Sequence, residues 1–254
     1  MNATAARLTA LGRAELTLLA RNRNNLFVAL LMPVLMIFLL RSSLSGTDDL
    51  PMGVAEATVV GGTGMVLVLV VYMNLVATYV ARREELVLKR LRTGEARDTE
   101  ILAGAALPAS VIALVQCAIL TALGPAVLDA SAPRRPDLLL AGVVAGILLL
   151  VGLAAVTTVI TRSVESAGLT TLPFFLVSAM GSGLMVPTEA LPDAVAPVAE
   201  LLPLSGVMEL VRAGWLGVGQ VGGKELLGAG LTTVAWIVLS VFAVQKWFRW
   251  EPRR

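Results

Sequence analysis

The sequence contains no histidine and only one cysteine, Cys117, among its 254 residues. Without histidine the chain lacks the commonest metal ligand and general base, so a zinc site, a serine triad or a rhomboid-type protease is not expected. A single cysteine cannot form an intrachain disulfide. Charged residues make up 15% and aromatic residues 5%. These absences exclude disulfide scaffolds and most enzymes built on histidine chemistry.

What the chain has instead is apolar sequence. Hydrophobic residues make up 57%, and the mean hydropathy is +0.83. A soluble globular domain carries roughly 25% charged residues, which cover its surface. The composition therefore places much of the surface against lipid and predicts an all-α polytopic membrane protein.

Long apolar runs free of charge define the expected membrane spans, since a helix needs about 20 such residues to cross about 30 Å of hydrocarbon. Six runs qualify, at residues 26–40, 57–80, 101–127, 138–160, 167–186 and 226–244. The first is short, and a snorkelling Arg41 can extend it. We predict one membrane domain over residues 1–254 with six transmembrane helices.

Six spans place both termini on one side, and the basic residues indicate which side that is. Fifteen of the 20 lysines and arginines lie in residues 1–25, 81–100, 161–166 and 245–254. By the positive-inside rule these segments, and both termini, are expected to be cytoplasmic. Two tryptophans beside basic residues, Trp247 and Trp250, predict an interfacial anchor at the end of the last span.

Residues 1–25 predict a helix lying on the inner membrane surface. Leu8, Leu11, Leu18 and Leu19 fall on one helical face, and the stripe runs directly into the first span. The alternative is a polar N-terminal tail that happens to contain leucines.

The longest cytoplasmic connection, residues 81–100, is also the most charged. Glu85 and Lys89 have the spacing of a helical ion pair, Thr93-Gly94 breaks the helix, and Asp98 can cap the third span. This pattern predicts a short helix, a turn and a capped restart. The alternative is a solvated loop whose arginines only obey the positive-inside rule.

The outer connection, residues 187–225, is long and rich in proline. Loops of this length are usually functional, and irregular backbone enters a membrane only when protein covers it. We predict two short half-inserted helices, over about 190–201 and 205–214. The alternative is an outer loop lying on the headgroups.

Uncharged polar, aromatic and thioether side chains in the second and fifth spans are candidates for a transport pathway. Flexible methionine and flat rings adapt to large amphipathic ligands. The candidates are Tyr72, Asn74, Thr78, Tyr79, Phe174, Phe175, Ser178 and Met180. Each could equally be a residue that only packs helices together.

Several motifs are absent. Gly223-Lys224 is followed by Glu225, so no P-loop exists and the chain is not expected to bind ATP. Gly61–Gly64 opens an apolar span with no strand before it, so helix packing is expected there rather than dinucleotide binding. Gly142 and Gly146 form a small-residue packing face. The basic residues lack interleaved aromatics, so no nucleic-acid interface is expected.

In combination and order, several segments resemble the membrane subunits of ABC-2 exporters, especially actinobacterial drug-efflux permeases of the daunorubicin-resistance type. They are Met32-Pro33 in the first span, Arg83-Glu84-Glu85 followed by Leu88–Thr93, and Val186-Pro187, Leu191-Pro192 and Leu202-Pro203-Leu204 before Arg212. Family members often carry Gly after the Arg-Glu-Glu and Pro after the Leu-Arg-Thr, where this chain has Leu86 and Gly94-Glu95.

The resemblance implies six helices, a cytoplasmic coupling helix between spans two and three, and re-entrant helices before the sixth. It implies two paired permeases, with spans two and five facing the pathway, above two separate ATPase subunits that hold ATP and Mg. This chain would hold no cofactor or metal and would not be an enzyme. The coupling candidates are Arg83, Glu84, Glu85, Lys89, Arg90, Arg92, Arg162 and Glu165.

The expected function is export of an amphipathic drug or metabolite. Two alternatives stay open. A lipid or lipid-linked glycan exporter usually carries more aromatic residues than the two tyrosines and six phenylalanines present. A membrane sensor or scaffold would use the 81–100 segment as a signalling contact.

Overall fold

A computed structural model describes residues 53–93, 97–184, 192, 194–219 and 222–251, together with the single positions Leu31, Leu35, Phe38 and Ser42. Within these ranges the regular structure is helical throughout. The all-α class is thereby confirmed. The predicted surface helix of residues 1–25 lies outside the described residues, as does most of the run at 26–40.

The described chain forms long membrane-length helices with short helices between them. In chain order they are α1 (Val54–Glu84), α2 (Val87–Arg92), α3 (Asp98–Val127), α4 (Pro136–Thr157), α5 (Val164–Gly181), α6 (Ala196–Glu200), α7 (Ser205–Leu216) and α8 (Gly223–Trp247). Five of them, α1, α3, α4, α5 and α8, are long and apolar enough to cross a membrane.

Each of these five helices begins two or three residues before the apolar run it contains. The added first turns carry the residues that helix N-termini favour. Pro136 opens α4, and Ser163 accepts a hydrogen bond from the backbone N–H of Ser166 in α5. At α8, the Glu225 carboxylate accepts from the Gly222 N–H at 2.8 Å. Helix starts predicted from charge-free runs alone are therefore two or three residues too late.

Helix α1 lies at the centre of the bundle. In its most apolar window 83% of the residues are buried, against 17% in that of α8. Its middle, Leu67–Met73, is a π-helix, a rare conformation that is frequent at functional sites. The side chains around this segment are therefore enclosed by neighbouring helices.

The short helix α7 fills the core beside α1 and α4. Val207 and Val211 are fully buried, and they pack against Gly146 and Gly142 of α4. A Cβ on Gly142 would lie 3.1 Å from the backbone nitrogen of Val211. The predicted small-residue face of α4 is confirmed, and its partner is α7.

Helix α7 runs from the middle of the bundle toward the end where α4 begins. Its C-terminal carbonyls are capped by the loop before α4, since the Arg135 N–H donates to Gly214 O at 2.9 Å and the Arg134 N–H to Trp215 O at 3.2 Å. Before α7, the Leu201 carbonyl accepts from the Trp236 indole N–H of α8 at 2.9 Å. Protein groups thus satisfy this irregular backbone.

Two helices were predicted in this outer segment, at about 190–201 and 205–214. The structure contains α7 from Ser205 to Leu216 and a much shorter α6, Ala196–Glu200. Residues 185–191 and 193 lie outside the described part of the chain. Pro197 stands in the first turn of α6, where its missing N–H is tolerated.

Candidate functional site

One end of the bundle carries α2, the end of α1, the turn between α4 and α5, and the segment after α8. We call it the α2 end. The charged candidates lie here, whereas the aromatic candidates lie further inside the bundle. The two groups are connected through the turn between α4 and α5, residues 158–163.

Arg83 ties the last turn of α1 to this turn. Its guanidinium is 1% exposed, and it donates to Thr158 O at 2.8 Å and Thr161 O at 2.7 Å. These carbonyls follow the end of α4 and have no helical N–H to accept from within it. Arg83 is one of the predicted coupling residues, and its enclosed side chain links the end of α1 to the turn between α4 and α5.

The turn also joins α4 to α5. The Thr161 hydroxyl contacts Thr157 O and the Thr170 hydroxyl, both at 2.9 Å. Arg162 and Glu165, the other coupling candidates here, are exposed at the α2 end. Movement of Arg83 would therefore act on both α4 and α5.

Between α1 and α2 the chain turns sharply at Leu86. Its backbone is left-handed, with φ 59° and ψ 14°. That conformation costs a residue with a side chain about 1–2 kcal/mol, and glycine adopts it freely.

Replacing Leu86 with glycine is expected to stabilise the protein by about 1 kcal/mol, because the strained backbone is relieved. Thermal unfolding in detergent, followed by tryptophan fluorescence, measures the change. The control is Arg90→Gly on the exposed side of α2, which should destabilise by about 1 kcal/mol. A destabilised Leu86→Gly variant would show that the Leu86 side chain matters more than its backbone.

Exposed charged residues lie in α2 and directly before it. Glu84, Glu85 and Arg90 are exposed, whereas Leu88 is 1% exposed. The predicted short helix is thus present, and it ends at Arg92 just before the predicted break. The role of these charges in coupling stays a prediction.

The ion pairs around α2 differ from those that spacing suggested. Glu85 lies in the turn before α2, and Lys89 pairs with Glu251 at 2.7 Å. Asp98 was predicted to be the N-cap of α3, and this prediction was wrong by one residue. Arg97 occupies the cap position, and its N–H donates to Glu100 at 3.0 Å. Asp98 instead contacts Arg92 at 3.2 Å.

Two pathway candidates meet inside the bundle. The rings of Tyr72 and Phe174 lie 4.4 Å apart at an angle of 49°. The Tyr72 hydroxyl lies 3.0 Å from Thr157 Oγ1, whose own proton is engaged with Leu153 O at 2.9 Å. Tyr72 is therefore the donor. It links the aromatic pair to the end of α4, next to the turn that Arg83 contacts between α4 and α5.

The other pathway candidates do not form one surface within the chain. Tyr79 is 1% exposed and donates to Leu102 O at 3.1 Å, which makes it a link between α1 and α3. Ser178 is buried, and Met180 is 64% exposed. Among the rest, Thr78 and Phe175 are half-buried, and Asn74 is exposed.

Sequence reasoning missed the enclosed position of Arg83 and the contacts of the segment after α8. One signal for Arg83 was available: of the charges after the second apolar run, Arg82 and Arg83 lie nearest to it. A charge so close to the apolar layer usually needs internal partners.

The described part of the chain is therefore a multi-pass helical membrane domain with a short charged helix at one end. Residues 6–216 match the family model described as ABC-2 type transporter, and the chain belongs to this family. Membership makes it the permease component of an ABC-type transporter, a transport component rather than a catalytic one. No curated protein matches the chain.

Proposed function

We propose that this permease belongs to an exporter that expels an amphipathic drug or metabolite, driven by ATP hydrolysis on a partner. Two copies of the chain pair in the bacterial cell membrane, and two ATPase subunits with ATP and Mg bind at the α2 end. Both termini are cytoplasmic. Residues 26–40 supply a sixth span, and α6 and α7 are half-inserted from the outside.

The arrangement that carries this proposal is the connection of α2 to the bundle. The exposed charges of Glu84, Glu85 and Arg90 offer a contact for a partner, and Arg83 directly beside them holds the turn between α4 and α5. A displacement of α2 would therefore be transmitted to α1, α4 and α5. Closure of the two ATPases would tilt the paired bundles between inward and outward openings.

The substrate class is inferred from the inner residues. The Tyr72–Phe174 pair offers flat rings with one hydroxyl, and Met180 extends an exposed thioether from α5. Such groups suit ligands with both apolar and polar parts. Because α5 is mostly exposed in a single chain, a second copy can complete the pathway along it.

Purification of the tagged chain from its native membrane in mild detergent tests the partner. An ATPase subunit with vanadate-sensitive hydrolysis should co-purify, and reconstituted complexes should move amphipathic dyes out of the ATP-containing side. Repeated recovery of the chain alone would favour a sensor or scaffold instead.

The double variant Glu84→Gln and Glu85→Gln is expected to weaken ATPase binding about tenfold, because two exposed charges at the contact are lost. Titration of the purified permease with its ATPase measures the affinity, and thermal unfolding should be unchanged. Glu200→Gln, an exposed carboxylate at the opposite end, is the control. Equal affinity for wild type and double variant would place the ATPase contact elsewhere.

A further inference from the structure

The four residues after α8, Phe248–Glu251, turn back onto the bundle instead of continuing along the helix. Phe248 has an extended backbone, with φ −61° and ψ 131°. Its ring lies edge-on to Tyr79 of α1 at 6.4 Å and to Trp250 at 4.9 Å. The row Tyr79–Phe248–Trp250 leads from the core toward α2. We call residues 248–251 the C-terminal clasp.

The C-terminal clasp contacts α2 through two neighbouring residues. The Glu251 carboxylate pairs with Lys89 Nζ at 2.7 Å, and the Trp250 ring lies 4.9 Å from the guanidinium carbon of Arg92. Lys89 and Arg92 are three residues apart in α2 and so lie on the same side of that helix. The clasp therefore grips one side of α2, and Leu88 packs inward from the helix.

A helix as short as α2, Val87–Arg92, cannot hold its own position, because helices of this length are unstable without contacts from outside. Arg92 contacts Asp98 of α3 as well as Trp250, so α2 is held between the start of α3 and the end of α8. The exposed ion pair alone is weak. Together with the aromatic row Tyr79–Phe248–Trp250, however, the ion pair fixes the orientation of α2 relative to α8.

We propose that the C-terminal clasp is a positioning element that ties α2 to α8, with Trp250 and Glu251 as its positioning residues. A displacement of α2 then moves α8 as well as α1 and α3. This inference rests on the proposed function, in which a partner ATPase acts on α2. It assigns Trp250 to contacts within the protein, whereas Trp247 is 53% exposed and is free to serve as the membrane anchor.

The test measures transport per ATP hydrolysed in proteoliposomes containing permease and ATPase. Glu251→Lys and Lys89→Glu should each lower this ratio about fivefold, and the double exchange should restore most of it, because the pair is re-formed with reversed charges. Lys224→Glu, an exposed charge at the other end of α8, should leave the ratio unchanged.

Trp250→Leu and Trp247→Leu form a matched pair. The clasp predicts a fivefold lower ratio for Trp250→Leu and little change for Trp247→Leu. An equal effect of both would mean that the two tryptophans act as membrane anchors, and would overturn the proposal. Single charge variants that transport like wild type, or a double exchange that restores nothing, would also overturn it.

A contact measurement separates this proposal from the proposed function. In a Cys117→Ala background, cysteines at positions 89 and 251 should be joined by a short thiol crosslinker, whereas cysteines at 89 and 200 should not. If wild-type complexes hydrolyse ATP without transport, the exporter proposal fails, and the positioning role fails with it. If transport occurs but positions 89 and 251 do not crosslink, only the clasp is wrong.

Discussion

Replacing Arg83 with methionine is expected to lower the free energy of unfolding by about 3 kcal/mol. The guanidinium is enclosed, and its loss leaves Thr158 O and Thr161 O without their donor. For a chain of this size the melting temperature should fall by about 6–12 °C. Tryptophan fluorescence during heating, together with gel filtration in detergent, measures the effect.

Arg90→Met, in exposed α2, is the matched control and should change the melting temperature little. Arg83→Lys should lose most of the same stability, because an ammonium lacks the planar fork that reaches two carbonyls at once. If the Arg83→Met variant has the same melting temperature as the wild type, the buried hydrogen bonds contribute nothing to the free energy of unfolding. The proposed transmission through the turn between α4 and α5 then loses its physical basis.

Replacing Gly214 with alanine should be the most damaging change away from the α2 end of the bundle. The new methyl group would lie 2.7 Å from Leu139 Cα and would also collide with the Leu139 nitrogen, and neither backbone atom can rotate away. Separation of α7 from α4 should cost about 3 kcal/mol, at the upper end for overpacking. Low yield of monodisperse protein and an early melting transition are the expected observations.

Gly228→Ala provides the control in α8, where a methyl group would meet nothing within 4 Å. Both substitutions raise helix propensity equally, so any difference between them comes from space. Gly228→Ala should be neutral or stabilising by up to about 1 kcal/mol. Equal stability of the two variants would mean that α7 does not approach α4 as closely as described.

The sequence was most informative where one physical rule dominates. Absence of charge over long runs located the five long described helices, because hydrocarbon tolerates few charges. The four-residue spacing of Gly142 and Gly146 likewise predicted a packing face. The helix at 205–214 was itself predicted, but its role as the partner of this face could not be, because the spacing of residues within α4 does not indicate which helix packs against them.

Side-chain partners were the least predictable feature. Lys89 was matched with the nearest carboxylate of suitable spacing, yet its partner Glu251 comes from the far end of the chain. Similarly, Trp250 was predicted to be a membrane anchor because basic residues lie next to it in the sequence. Its contact with Arg92 arises because the chain turns back after Phe248. Local spacing predicts helices well but not contacts that tertiary structure creates.

The core position of α7 has a consequence for how the protein is made. Residues 205–216 are synthesised after α1 and α4, so the groove over Gly142 and Gly146 stays unfilled until α7 has been made. The Arg134 and Arg135 amides likewise lack their acceptors until α7 arrives. Packing over Gly142 and Gly146 is therefore completed only after α7 has been synthesised, late in the chain.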